Sequence, residues 1–544
     1  MSLLPGQMMH LPLMISSLVV HAARHHGDAE IVSRRVEGDI HRTTWAEVEL
    51  RSRKVAQAMA RLGCQPGDRV GTLAWNGYRH LEIYYGTSGS GLVCHTVNPR
   101  LFPQQVAWII NDADDKVVCF DLNLLPLLEQ IAADCPKVQH WVLMTDRAHM
   151  PAASSVPGLL SYEDLLAGEA GDYDWPVFDE QTASSICYTS GTTGDPKGAV
   201  YTHRSTVLHS YAAAMPDIMN IRAVDVVMPV VPMFHVNAWG LPYTMAMVGC
   251  KVVFPGPQLD GKSLYDLMEA EQVTFSAGVP TVWLGLLNHV QGNGLKFSSF
   301  KSTVIGGAAC PPSMISTFED DFGVEVVHAW GMTELSPLGT LCRLRAKHLG
   351  LPLAERRRIL ARQGKALYGI DMRIVDGDGN ALPWDGEASG DLEVRGHWVI
   401  GSYFGHGESP LHDGWFPTGD VATIDPDGYM LITDRSKDVI KSGGEWISSI
   451  ALENLAVAHP SVSQAAVISV AHAQWGERPL LVVVLKPGAS ATRDELLAFY
   501  EGKIPRWQIP NDVVFVPELP HTATGKIQKL RLREMFRNHL WTQG

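Results

Sequence analysis

Tyr188-Thr189-Ser190-Gly191-Thr192-Thr193-Gly194-Asp195-Pro196-Lys197-Gly198 is the most informative stretch of the chain. Its glycines let successive backbone N–H groups curl around an anion, its hydroxyls add donors, and Lys197 adds a positive charge. The spacing is not that of a Walker A loop, because the lysine follows a proline and precedes a glycine rather than a serine or threonine. Read alone, the segment is either a phosphate-binding turn or an ordinary Gly/Thr-rich connection.

Outward from this turn, helical and strand patterns alternate. Thr44-x-x-Glu47 predicts a capping box, after which Val48, Val55, Met59 and Leu62 recur at helical spacing until Gly63. Short apolar runs at Val70–Ala74, Lys116–Phe120, Trp141–Met144 and Val226–Val231 read as buried strands. The expected class is therefore α/β with largely parallel sheets. Gly401 to Gly419 is rich in Gly, Pro and His, as an irregular connection would be. Beyond Lys437 the pattern predicts a small α+β unit, with a helix from about Ser449, strands near Val467 and Leu481, and a helix from Thr492. Two domains are expected, 1–436 and 437–544.

Length and composition agree with that division. A chain of 544 residues exceeds one simple core, and 46% apolar with 19% charged residues is ordinary for a globular enzyme. A net charge of −14 argues against a nucleic-acid-coating protein, yet it leaves room for anionic ligands held by local amides and lysines. The eight cysteines form no C-x-x-C pair, so neither a zinc ribbon nor a dithiol redox site is indicated; free thiols in a reducing cytoplasm are expected. Met1 to Val20 is apolar but carries His10 and lacks a basic n-region, which predicts a packed amphipathic helix rather than a signal peptide. No uninterrupted apolar stretch has the length of a membrane span. Arg356–Arg358 reads as a solvated helix face.

Further strings follow the phosphate turn in order: Pro232-Met233-Phe234-His235-Val236-Asn237-Ala238-Trp239, Gly306-Gly307-Ala308-Ala309, and His328-Ala329-Trp330-Gly331-Met332-Thr333-Glu334. After them come Trp415-Phe416-Pro417-Thr418-Gly419-Asp420, Asp434 to Glu445 (DRSKDVIKSGGE), and Thr524-Gly525-Lys526. Together these resemble the adenylate-forming superfamily of acyl-CoA synthetases, peptide-synthetase adenylation domains and beetle luciferases, over about residues 40 to 533. The PMFHVNAW segment and the serine-lysine hinge are most similar to the medium- and long-chain fatty acyl branch. Within it the pattern is similar to bacterial short- and medium-chain enzymes, including those acting on the thioether acid 3-methylmercaptopropionate.

The resemblance implies an enzyme that forms acyl-CoA from a monocarboxylic acid, ATP and CoA through an acyl-adenylate, with Mg2+ and no further cofactor. It also leaves open a carrier-protein-loading adenylation enzyme and a general medium- or long-chain fatty acyl-CoA synthetase. The expected partners are the acid, ATP and CoA, with no nucleic acid; dimers are common among similar fatty acyl enzymes.

Roles carry over by motif. Thr189, Ser190, Gly191, Thr192, Thr193, Gly194 and Lys197 would hold the β- and γ-phosphates, and Glu334 with Thr189 would hold Mg2+. Gly307, Ala308 and Ala309 would line adenine, with Trp330 stacked on it and Gly331, Met332 and Thr333 alongside. Asp420 and Arg435 would reach the ribose. His235, Val236, Trp239, Gly306, Gly307 and Met332 would line the acyl path, Trp239 as its gate. Lys526 would bridge the α-phosphate and carboxylate during adenylation; where the family pattern usually has Arg nearby, His521 stands. For the second half-reaction, Lys437 matches the hinge and Lys441, Ser442, Gly443 and Gly444 form the loop expected to face CoA. Trp446 would lie near the nucleotide in one of the two domain arrangements.

Overall fold

The computed structural model describes residue 4 and residues 6–189, 196–442, 445–521 and 527–541, the side chains of Glu445 and Trp446 excepted. Four sheets organise these residues. The chain is mixed α/β, as the alternating patterns predict.

The nine-stranded sheet has a parallel centre formed by Glu325–Gly331, Ser302–Ile305, Phe275–Gly278, Val226–Pro229, Lys251–Phe254 and Glu30–Arg34. Antiparallel strands close both of its edges. The seven-stranded sheet is parallel except where Ala183–Tyr188 pairs antiparallel with Gly198–Thr202, the strands on either side of the phosphate-loop string. Its other strands include Arg69–Leu73, Asp115–Phe120 and His140–Leu143, matching the apolar runs read in the sequence. Such runs, buried on both faces, are what helix-covered parallel strands require.

A four-stranded antiparallel sheet follows, made of Ile370–Val375, Ser389–Gly396, Phe416–Ile424 and Met430–Arg435. One core of buried side chains runs through all three sheets, from Trp45 and Tyr84 through Val227 and Trp330 to Phe416. A five-stranded sheet lies beyond residue 439, with its own core around Ile440, Leu452, Val467 and Leu481. Its α-helices start at Ser449, Arg493 and Lys529, the second capped by Thr492 with Glu495 completing the box.

Three local expectations differ from what forms. The first helix runs only over Ile15–His26, because Pro12 disfavours helix at the residue before it, and Met8, Met9 and Leu11 stay exposed. At Thr44 one arm of the box forms, the hydroxyl accepting the Glu47 N–H at 3.4 Å, while the same residue ends strand Ile40–Thr44. Within the stretch expected to be irregular, Phe416 to Gly419 is strand: buried Phe416 and Thr418 alternate with more open Pro417 and Gly419, the period of two that a half-buried strand needs.

Candidate active site

Tyr188 and Gly198, at the two ends of the phosphate-loop string, face each other across an antiparallel strand pair. The neck of the string is tied twice, by Thr189 N–H to the Lys197 carbonyl at 2.9 Å and by Lys197 N–H to Thr189 Oγ1 at 3.1 Å. The pair holds the two ends of the string in register. Ser190, Gly191, Thr192, Thr193 and Gly194 lie outside the described residues, as do Gly443, Gly444 and Lys526.

Beside this neck is a cavity of about 160 Å³ at the ends of parallel strands Ser302–Ile305 and Glu325–Gly331. Twelve of the expected site residues line it together: Thr189, His235, Val236, Trp239, Gly306, Gly307, Trp330, Gly331, Met332, Thr333, Glu334 and Arg435. They come from five separated motifs, which only the fold brings into one place. Ala329, Pro337 and Leu338 also line the cavity. Pro337 and Leu338 went unmarked in the sequence because they follow the last motif residue, Glu334, and carry no reactive group.

Trp330 is 8% exposed, and its indole N–H donates to Asp420 Oδ2 at 2.9 Å. Arg435 Nε lies 2.8 Å from Oδ1 of the same carboxylate. Asp420 therefore reaches the cavity wall through its two partners and is not itself on the lining. The indole fits because position 339 is glycine: a Cβ there would stand 2.4 Å from the ring.

Glu334 is 7% exposed, in the short helical turn Thr333–Leu335. Tyr403 Oη donates to its Oε1 at 2.7 Å, and the Ile400 N–H donates to its carbonyl at 3.0 Å. Tyr201 Oη holds the neighbouring Thr333 carbonyl at 2.6 Å. His328, from the same motif, is a packing residue. Its Nε2 accepts the Cys310 N–H, and burial lowers its pKa to about 4, so the ring is neutral.

The segment carrying Trp239 has unusual backbone. Val236, Asn237, Ala238 and Trp239 have φ of 46°, 49°, 48° and 58°, a left-handed turn closed by Gly240 at 75°. Each such non-glycine residue costs about 1–2 kcal/mol, and a β-branched valine there is a rare outlier. Buried hydrogen bonds from strand Ala183–Tyr188 and helix Tyr78–Gly89 offset that strain. Asn237 Nδ2 donates to Ser185 Oγ at 3.0 Å, and its Oδ1 accepts from Tyr84 Oη and Cys187 Sγ, each at 3.2 Å. The turn lays Trp239 across the two glycines of the next motif: a Cβ on Gly306 would stand 3.3 Å from the ring, and one on Gly307 3.7 Å. Asn237 was passed over in the sequence, where nothing marks the left-handed turn.

Other expected residues lie apart from the cavity lining. Lys197 and Ala308 are exposed, and Ala309 is half-buried. Lys437 sits in the turn between strand Met430–Arg435 and strand Ile440–Ser442. Lys441 is exposed on the latter strand, its N–H donating to Glu477 Oε2 at 3.0 Å. Ser442 Oγ accepts from Arg478, a buried guanidinium that also binds the Trp507 and Ile509 carbonyls. Trp446 is in strand Glu445–Ile447, paired with Lys441. Among the described residues no helix is long and apolar enough to cross a membrane.

Residues 19–404 match the family model described as AMP-binding enzyme, and residues 451–526 match that of the AMP-binding enzyme C-terminal domain. The chain belongs to the AMP-binding enzyme family. Among curated members it is 56% identical to the 3-methylmercaptopropionyl-CoA ligase of Ruegeria lacuscaerulensis over 536 residues, covering 98% of this chain and 99% of that one. A medium-chain-fatty-acid–CoA ligase of Ectopseudomonas oleovorans is 54% identical over 533 residues, covering 98% and 97%. Among solved structures of the family, ATP-bound MatB from Rhodopseudomonas palustris superposes with a TM-score of 0.81 at 26% identity, over 96% of this chain and 99% of that one. An anthranilate CoA ligase in complex with anthranoyl-AMP shares the fold at a TM-score of 0.85 and 24% identity, covering 97% and 98%.

Proposed function

We propose that this protein is an ATP-dependent, AMP-forming acyl-CoA synthetase acting on a short- or medium-chain monocarboxylic acid, including thioether acids such as 3-methylmercaptopropionate. The observation that carries the reading is the convergence of Thr189, Glu334, Trp330 and Arg435 with His235 and Trp239 on one small cavity. The first four suit a nucleotide and the last two an acyl group. The activities named for the relatives of highest identity agree.

The chemistry asks one anion to attack another. A carboxylate oxygen of the acid attacks the α-phosphorus, the bond to the bridging oxygen breaks, and pyrophosphate leaves with that electron pair. The acid is already ionised near neutral pH, so His235 has no proton to take; its place on the acyl side suits orientation. The neck pair Thr189–Lys197 would hold the leaving phosphates, and Asp420, set by Trp330 and Arg435, would accept the ribose hydroxyls. Thr189 and Glu334 present oxygen donors to the same cavity, the kind Mg2+ takes alongside substrate phosphates. When bound there it would neutralise phosphate charge. Lys526 would bring its ammonium to the α-phosphate and carboxylate.

In the second half-reaction the CoA sulfur attacks the acyl carbonyl and AMP departs. We infer that the units divide at residues 436 and 437, and that rotation there exchanges the Lys526 loop for Lys441–Gly444. Supporting this, Ser436 to Asp438 form a turn between two sheets. A cytoplasmic location and a homodimer belong to the same reading.

Monocarboxylates are favoured because, among the described residues, Arg435 is the one lysine or arginine on the cavity and is paired with Asp420, leaving His235, Val236, Trp239, Gly306, Gly307 and Met332 to face a second carboxylate that would be buried unpaired. A pyrophosphate-release screen over linear, thioether, aromatic and dicarboxylic acids tests this. The expected result is turnover of short- to medium-chain and thioether acids; a preference for succinate would overturn it.

A further inference from the structure

Tyr403 lies in the connection after strand Ser389–Gly396, outside every motif the sequence marks. Its hydroxyl donates to Glu334 Oε1 at 2.7 Å, and Lys197 Nζ stands over its ring at 5.1 Å from the centroid. The connection is tied to both places by its backbone as well. Ile400 N–H donates to the Glu334 carbonyl at 3.0 Å, and Phe404 N–H to the Gly198 carbonyl at 2.8 Å. Phe416 packs edge-on against the tyrosine at 6.4 Å.

A lysine ammonium and a buried carboxylate that touch the same tyrosine carry opposite charges and would satisfy one another if they met. A pair closed in that way would offer neither charge to a ligand. Tyr403 meets both needs at once. Its hydroxyl fixes one oxygen of the carboxylate, and the negative face of its ring seats the ammonium.

We propose that Tyr403 is a positioning residue that holds Glu334 and Lys197 apart and separately aimed, the carboxylate toward a divalent cation and the ammonium toward phosphate. The inference rests on the proposed nucleotide site and adds to it a residue that touches neither substrate.

Two substitutions separate the two contacts. Tyr403→Phe keeps the ring and removes the donor, whereas Tyr403→Gln offers a donor without the ring. Isothermal calorimetry would measure ATP binding without metal, and then Mg2+ binding at saturating ATP, with wild-type pyrophosphate exchange run in parallel. Tyr403→Phe should raise the half-saturating Mg2+ roughly tenfold while leaving metal-free ATP affinity within about twofold. Tyr403→Gln should weaken metal-free ATP binding by about threefold, the scale of an exposed cation–π contact. An unchanged Mg2+ curve for Tyr403→Phe, or equal losses in both titrations for both variants, would overturn the proposal. Absence of pyrophosphate exchange by the wild type would instead overturn the function on which it rests.

Discussion

The indole N–H of Trp330 donates to Oδ2 of Asp420 at 2.9 Å, with both residues buried. The bond joins the end of strand Glu325–Gly331 to strand Phe416–Ile424, so two motifs about ninety residues apart form one unit. The ring and the carboxylate, proposed above as adenine wall and ribose acceptor, are thereby fixed relative to each other. Trp330→Phe keeps an aromatic ring and removes one hydrogen bond to the carboxylate. A hydrogen bond to a charged group is worth about 1.5–3 kcal/mol. We expect KM for ATP to rise at least fivefold, with a modest fall in melting temperature. Steady-state kinetics with thermal unfolding checks both; an unchanged KM for ATP would remove Asp420 and Trp330 from the nucleotide site.

The left-handed turn at Val236–Trp239 makes Asn237 more important than its position in the motif suggests. Asn237→Ala deletes three buried hydrogen-bonding contacts and should destabilise the protein by about 1–3 kcal/mol. Because the same turn aims Trp239, the chain-length profile should broaden too. Trp239→Ala should move the optimum toward longer acids, each further buried methylene adding about 0.8 kcal/mol until the path is full. Profiling kcat/KM over acids of two to twelve carbons in both variants tests this. An unchanged optimum in Trp239→Ala would make Trp239 a core residue only.

The two half-reactions should fail separately. Lys526→Ala should slow adenylation by roughly 10²–10³ while sparing thioester formation from supplied acyl-adenylate. Lys441→Ala should leave pyrophosphate exchange near normal and slow CoA capture. Lys437→Pro, which fixes φ near −65°, should impede rotation at the turn after Arg435. Single-turnover measurements of each step distinguish these outcomes; equal losses of both steps in Lys526→Ala and Lys441→Ala would contradict the division of labour.

Four buried histidines give a pH prediction. Burial lowers the pKa of His80, His203 and His328 to about 4 and that of His209 to about 3, below the ordinary 6.5. Each is neutral when folded, while the unfolded chain takes up a proton on each below about pH 6.5. Their contribution to stability is complete above pH 6.5 and is lost as pH falls toward 4. The slope approaches about 1.4 kcal/mol per pH unit for each ring. Buried carboxyls such as Asp121, whose pKa burial raises to about 7, contribute with the opposite sign, so the test is a difference. The stability of His203→Gln, from denaturant unfolding at pH 7.5, 6 and 5, should fall less steeply than that of the wild type. Equal slopes would mean that this ring is charged or open to water in solution.

The α/β class was legible because buried parallel strands leave continuous apolar runs, and the residues that gather on the cavity because their motifs are strings of chemically marked residues. What escaped notice acts through backbone and packing. Asn237 matters because four residues turn left-handed, and Tyr403 because a long connection returns over Glu334 and Lys197. Neither leaves a periodicity or a spacing to read. Phe416 to Gly419 was hidden for a related reason, since proline and glycine alternate with its buried residues and mask the strand.

Where ATP is cut is the most direct test of an AMP-forming synthetase. Anion-exchange chromatography of a reaction containing ATP, Mg2+, a medium-chain or thioether acid and CoA should show AMP and pyrophosphate formed one for one with acyl-CoA. Omitting either the acid or CoA should abolish sustained turnover. Steady accumulation of ADP and phosphate, or AMP formation indifferent to the acid, would contradict that function.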